Sequence, residues 1–101
     1  MCHRIDAVYL AAKSAVETMT RAAAKELAPG GITVNAVAPG AIASPMFFEG
    51  KTPEQIEQAA RNHPAGRLGT PDDIAAAVAL LLSPDAAWIS GQTLRVNGGA
   101  A

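Results

Sequence analysis

The sequence predicts an α/β layer fold built on a parallel sheet. Two observations carry that expectation. Short branched runs alternate with helical patterns in the order helix, strand, helix, helix, strand, which is how helices come to cover a parallel sheet. The first branched run, Ile32–Val37 (ITVNAV), is apolar at every position except Thr33 and Asn35. A strand of that composition suits burial on both faces better than one wet face.

Each element has its own signal. From Val8 to Leu27, residues Val8, Ala12, Ala15, Val16, Met19, Ala23 and Leu27 recur at helical steps, and the abundant alanine favours helix. Pro29-Gly30-Gly31 stops this helix, because proline cannot continue it and glycine allows the turn out. After the Ile32–Val37 strand, APGAIASPMFFEG is dense in turn residues and reads as a loop. Thr52 caps a second helix, with Pro53 at its first position and Gln55 placed for a capping box. Thr70 and Pro71 repeat that start, with Asp72 and Asp73 at the positive end of the helix dipole. Gln92–Val96 (QTLRV) is a second strand, and Asn97-Gly98-Gly99 a turn.

Composition narrows the function classes. The 101 residues make one domain, and half are apolar, enough for a core. Eight basic and nine acidic residues are spread along the chain. No basic stripe points to nucleic acid. Cys2 is alone, so no internal disulfide staples the chain and a reducing compartment is expected. The first residues lack the apolar core of a signal peptide. The longest apolar run, Ile74–Leu82, falls short of the ~18–20 residues of a membrane span and is expected to be a buried helix. The expectation is a soluble, cytoplasmic protein with no membrane partner.

Two features can carry chemistry. Tyr9 and Lys13 stand four apart, so both project from one helix face. A free phenol titrates near ~10 and is a poor proton donor at neutral pH, but an adjacent ammonium favours its phenolate. The pair therefore suits moving a proton on and off a carbonyl or alcohol oxygen. The spacing alone is common in helices. The second feature is Asn35–Ser44 (NAVAPGAIAS). A turn with Pro39 and Gly40 leaves the carboxyl end of a parallel strand, where open α/β sheets bind ligands. Gly40 permits close backbone approach and Ser44 offers a hydroxyl. Read alone, that segment is more simply a strand ending in a Pro-Gly turn. His3 and His63 are isolated, so no metal site is expected. Glu54 and Glu57 read as a solvated face, Arg67 and Arg95 as local partners for carboxylates, and Trp88 as a packing anchor.

Taken in order, YLAAK, AAAKELAPGGITVNAVAPGAIASPM and GRLGTPDDIAAAVALLLSPDAAWISGQTLRVNGG closely resemble the C-terminal half of the short-chain dehydrogenase/reductase family. The likeness runs from Tyr9 to Gly99, and the chain is similar in kind to 3-oxoacyl-reductase-like and NADPH-dependent aldehyde-reductase-like members. It implies a Rossmann-type doubly wound sheet and NAD(P)-dependent interconversion of a carbonyl and an alcohol, with NADP preferred over NAD. It implies that Tyr9 is the general acid/base, and that Lys13 lowers its pKa and binds the nicotinamide ribose. It also implies that Pro39 and Gly40 form the turn beside the nicotinamide, that the Ile42 backbone holds the carboxamide, and that Ser44 touches the cofactor. Asn35 is expected to order the turn, and Met46–Ala65 to form a variable substrate lid in which Met46, Phe47 and Phe48 line a pocket. Family members are commonly homo-oligomers, and the Ala11–Ala28 surface is a candidate interface.

The resemblance also implies a departure. The Gly-rich pyrophosphate turn, the residue that selects NAD or NADP, and the catalytic serine and asparagine all lie upstream of the tyrosine in the family. Residues 1–101 are thus expected to be a partial domain, with the N-terminal dinucleotide-binding half absent and no turnover by the chain alone. The alternative expectation is a non-catalytic fragment that associates with full-length family subunits.

Overall fold

The computed structural model describes the backbone of residues 3–100 and the side chains of residues 7–100. The readings of Cys2 and of the His3 side chain lie outside the described residues. The elements run α1 (His3–Leu27), β1 (Ala36–Pro39), α2 (Pro45–Phe48), α3 (Pro53–Asn62), α4 (Pro71–Leu81) and β2 (Thr93–Val96), with short 3-10 turns at Ala28–Gly30 and Pro84–Ala86. The α/β class therefore holds, and β1 pairs with β2 in a two-stranded sheet. The pairing is parallel, since Gly91 N–H donates to Val34 C=O, Gln92 C=O accepts from Ala36 N–H, and Val96 C=O accepts from Gly40 N–H.

The described residues form two compact units. The first runs through Ala36 and takes in Ser83–Leu94; the second comprises Val37–Leu82 and the chain from Arg95 onward.

In the first unit, α1 ends where Pro29 and Gly31 require it, with Gly31 at φ 77° donating its N–H to Ala28 C=O. Thr20 and Ala24 are the α1 residues that become buried. Thr20 satisfies its hydroxyl by donating to Val16 C=O at 2.8 Å. Ala24 sits under Gly91, whose missing Cβ would stand 3.4 Å from the Ala24 Cβ. Here the expectation needs correction. The helical period is right, but Val8, Val16, Met19 and Leu27 of the predicted apolar stripe are exposed. The covered face runs through Thr20 and Ala24, where Gly91 comes close over the alanine.

The first strand also begins later than Ile32. At Val34 and Asn35 side-chain bonds join the single backbone bond from Gly91 N–H to Val34 C=O. Val34 N–H donates to Ser90 Oγ at 3.0 Å, Asn35 Nδ2 donates to Ile89 C=O at 3.1 Å, and Gln92 N–H donates to Asn35 Oδ1 at 3.1 Å. Asn35 thus ties two backbone segments together at the strand entrance, upstream of the turn it was expected to order.

In the second unit both helix starts form as the sequence prescribes. Thr52 and Gln55 make a reciprocal capping box, and so do Thr70 and Asp73. The loop reading of residues 38–50 misses α2, a single turn capped by the Ser44 hydroxyl. The Ile74–Leu82 run is a helix but not a buried one: Ala77 is buried, whereas Leu80 is 69% and Leu82 80% exposed. Trp88, in the first unit, is 99% exposed and anchors nothing. These apolar groups have no covering layer among the described residues.

Candidate functional site

Tyr9 and Lys13 lie in the first unit, on one face of α1. The Lys13 Nζ stands 5.3 Å from the centre of the Tyr9 ring, within cation–π range. Tyr9 is 57% exposed, so its phenol is open to a ligand. The helix supplies the spacing and the Ala11-Ala12 pair between them is short enough not to intrude. The structure thus brings the predicted proton-transfer pair together.

Pro39, Gly40, Ile42 and Ser44 lie in the second unit. Pro39 ends β1; because the N–H groups of Ala36 and Gly40 face β2, the alternation turns position 39 away and no ladder bond is lost to proline. Gly40 is required by packing: a Cβ there would stand 2.7 Å from Asn97 Cβ and 2.9 Å from Asn97 Cα. Its N–H donates to Val96 C=O at 3.0 Å, so the turn is held flush against the end of β2.

Ile42 has the most informative backbone. It forms an isolated parallel bridge with Gly69. In that bridge Gly69 makes both bonds, donating to Ala41 C=O at 2.9 Å and accepting from Ala43 N–H at 2.8 Å. By the geometry of a parallel pair, the N–H and C=O of Ile42 itself then face the opposite way, away from Gly69. One donor and one acceptor side by side on an extended residue complement a primary carboxamide, which offers one acceptor and two donors. A nicotinamide ring carries that group, so the residues present fit it.

Ser44 accepts a hydrogen bond from Phe47 N–H at 3.2 Å, capping α2. That use consumes an acceptor site and leaves its O–H to donate elsewhere. Among the predicted lid residues, Met46 is exposed, while the Phe47 and Phe48 rings meet edge to face at 6.1 Å and Lys51 Nζ stands 4.3 Å from the Phe47 ring centre.

Behind the Ile42 loop, on the Gly69 side, is a cavity of about 220 Å³ lined by His63, Arg67, Asp73 and Asn97 among others. Gly98, at φ +62°, closes against His63, with its would-be Cβ 2.6 Å from His63 Cε1. Arg67 and Asp73 pair at 2.8 Å. The Arg67 guanidinium and the Thr70 N–H hold the Asp73 carboxyl at about 2, below the usual carboxylate range. The same carboxylate raises Arg67 in turn. The sequence suggested only that Arg67 pairs locally and that Asp73 serves the helix dipole; a basic residue six positions ahead of a capping-box acid was the available signal. No group of three or more potential metal ligands occurs among the described residues.

A family model described as enoyl-(acyl carrier protein) reductase matches residues 2–101. The chain is similar to an NADPH-dependent aldehyde reductase-like protein, chloroplastic, of Arabidopsis thaliana, with 50% identity over 91 residues covering 90% of this chain and 34% of that protein. It is also similar to a 3-oxoacyl-[acyl-carrier-protein] reductase of Haemophilus influenzae, 55% identical over 91 residues, covering 90% of this chain and 37% of that one. Among solved structures, YwfH, described as an NADPH-dependent reductase involved in bacilysin biosynthesis, superimposes with a TM-score of 0.79 at 32% identity, covering 87% of this chain and 37% of that chain. The chain thus spans about a third of the length of the relatives it matches.

Proposed function

Because the chain belongs to the short-chain dehydrogenase/reductase family, we propose that it carries the proton-transfer helix and the nicotinamide-side loop of an NAD(P)-dependent site that interconverts a carbonyl and an alcohol. The observation that carries this reading is the Tyr9–Lys13 pair on one open helix face. When bound, the nicotinamide supplies or accepts the hydride. In the reductive direction the Tyr9 O–H gives its proton to the substrate oxygen, and in the oxidative direction the phenolate takes it back. The Lys13 ammonium favours the negative oxygen that forms and offers N–H donors to a ribose hydroxyl. Pro39 and Gly40 shape the turn against the ring, Ile42 presents its peptide groups to the carboxamide, and the Ser44 O–H donates to the cofactor. NADP is the preferred form, a choice supported by the NADPH named for the Arabidopsis relative. The substrate is a small carbonyl or alcohol, and the working state is a cytoplasmic homo-oligomer. No described helix is long and apolar enough to cross a membrane.

In this reading residues 1–101 alone do not turn over, since they span only about a third of the relatives' length. The test follows NADPH oxidation with a panel of aldehydes and 3-oxoacyl thioesters. The chain is assayed alone and after mixing with the separately expressed upstream half of the Haemophilus relative. Activity is expected only in the mixture, and Tyr9→Phe should abolish it. Activity that survives Tyr9→Phe removes Tyr9 from the role.

A second reading, a non-catalytic piece that associates with full-length family subunits, is favoured by the uncovered apolar side chains of Val8, Leu10 and Met19 on α1. Co-purification with a full-length relative, without any gain in turnover, would select it.

A further inference from the structure

We propose that Arg67 and Asp73 form a positioning latch that fixes the Ile42 peptide for the nicotinamide carboxamide, acting through Gly69. The proposal rests on the reading of Ile42 given above. The latch grips Gly69 from both sides in sequence. Arg67 Nη1 donates to the C=O of Leu68 at 2.9 Å, and Asp73 Oδ2 accepts from the N–H of Thr70 at 2.8 Å. Arg67 and Asp73 are joined to each other by Nη1 to Oδ2 at 2.8 Å and Nη2 to Oδ1 at 3.4 Å. The two residues flanking Gly69 are therefore tied to the two ends of one ion pair. Gly69 in turn bonds Ala41 and Ala43, the two residues flanking Ile42.

The cavity lined by His63, Arg67, Asp73 and Asn97 leaves part of the space beside the loop unfilled, so these hydrogen bonds share in holding it. A Cβ at Gly69 would stand 2.6 Å from Ile42 Cδ1, so a side chain there would require the tip of Ile42 to move. An exposed ion pair by itself contributes little. This one matters through geometry: the Asp73 carboxylate also accepts from the Thr70 hydroxyl at 3.2 Å, so it is already fixed at the start of α4 when Arg67 meets it.

Neither residue touches the cofactor in this scheme, so both are positioning residues. The test uses the 101-residue chain and nuclear magnetic resonance. Amide hydrogen exchange is followed at Gly69 and Ala43, with Gly91, whose N–H bonds Val34 C=O in the other unit, as internal control. Arg67→Met and Asp73→Asn should each speed exchange at Gly69 and Ala43 by about two- to fivefold, the range open to a single exposed pair, and leave Gly91 unchanged. Arg67→Lys, which keeps the charge but not the fork, should restore part of the protection. Unprotected amides in the wild type, or equal exchange in wild type and Arg67→Met, overturn the latch.

The second arm titrates millimolar reduced nicotinamide mononucleotide and follows the Ile42 amide resonance. A shift in the wild type that weakens in Arg67→Met, and returns in part with Arg67→Lys, supports the proposal. A wild type that shows no shift while its latch amides remain protected overturns the carboxamide reading of Ile42 instead. A shift equal in wild type and Arg67→Met overturns the positioning role.

Discussion

Asp73 accepts hydrogen bonds from Arg67, from the Thr70 amide and from the Thr70 hydroxyl, all of which favour its ionised form. Its folded pKa of about 2 lies below the ordinary value of 3.8. A depressed carboxyl contributes stability that is present above the unfolded pKa and lost as pH falls through the folded one. The start of α4 should therefore loosen between about pH 4 and pH 2 and not above. Following the Asp73 side-chain carbon by nuclear magnetic resonance should give a midpoint near 2, moved toward 3.8 by Arg67→Met. Gly40 sets a second residue-scale expectation. Alanine there would press on the Asn97 backbone, and overpacking of that kind costs about 1–3 kcal/mol. Urea unfolding of Gly40→Ala should show the loss, and an unchanged midpoint would mean the turn is not held against β2. These contacts were not legible in the sequence: Pro39-Gly40 announced a turn, but only the approach of Asn97 explains why glycine is needed.

At the scale of elements, local chemistry and observed boundaries agree best where side chain and backbone close on each other within four residues. Both threonine-capped starts are of this kind, and both formed as predicted. Thr52→Ala and Thr70→Ala should each cost about 0.5–2 kcal/mol, read as reduced helicity by circular dichroism. The Thr70 change should be the larger, because its hydroxyl also bonds the carboxylate that Arg67 engages. Two elements departed from expectation. The strand expected at Ile32–Val37 is observed at Ala36–Pro39, since its start depends on where a partner strand lies 57 residues away. The one-turn α2 hid among turn residues because four residues carry no period to detect. The Tyr9–Lys13 spacing was legible for the opposite reason: a long alanine-rich helix guarantees it.

For the molecule as a whole, the exposed apolar side chains are the feature to test. Trp88 at 99% exposure should give the emission of a water-exposed indole and be quenched freely by acrylamide. Protection from quenching on adding the upstream half of the Haemophilus relative would report a covering partner at that site. Leu82→Lys should reduce self-association in sedimentation while changing stability by no more than about 0.5 kcal/mol, because the Leu82 side chain is largely exposed.

The α/β class, the family resemblance, the caps and the Tyr9–Lys13 register are all readable from the amino acids. They depend on residue identity and on spacings short enough for the backbone to enforce. Which faces are covered, where β1 begins, that Ile42 turns its peptide groups away from Gly69, and that Arg67 and Asp73 brace that arrangement emerge in the folded chain alone. Such features arise when segments distant along the chain meet, and a periodicity names an apolar face without naming what will cover it. The apolar stripe of α1 shows the difference: its period was correct, yet the covered face runs through Thr20 and Ala24.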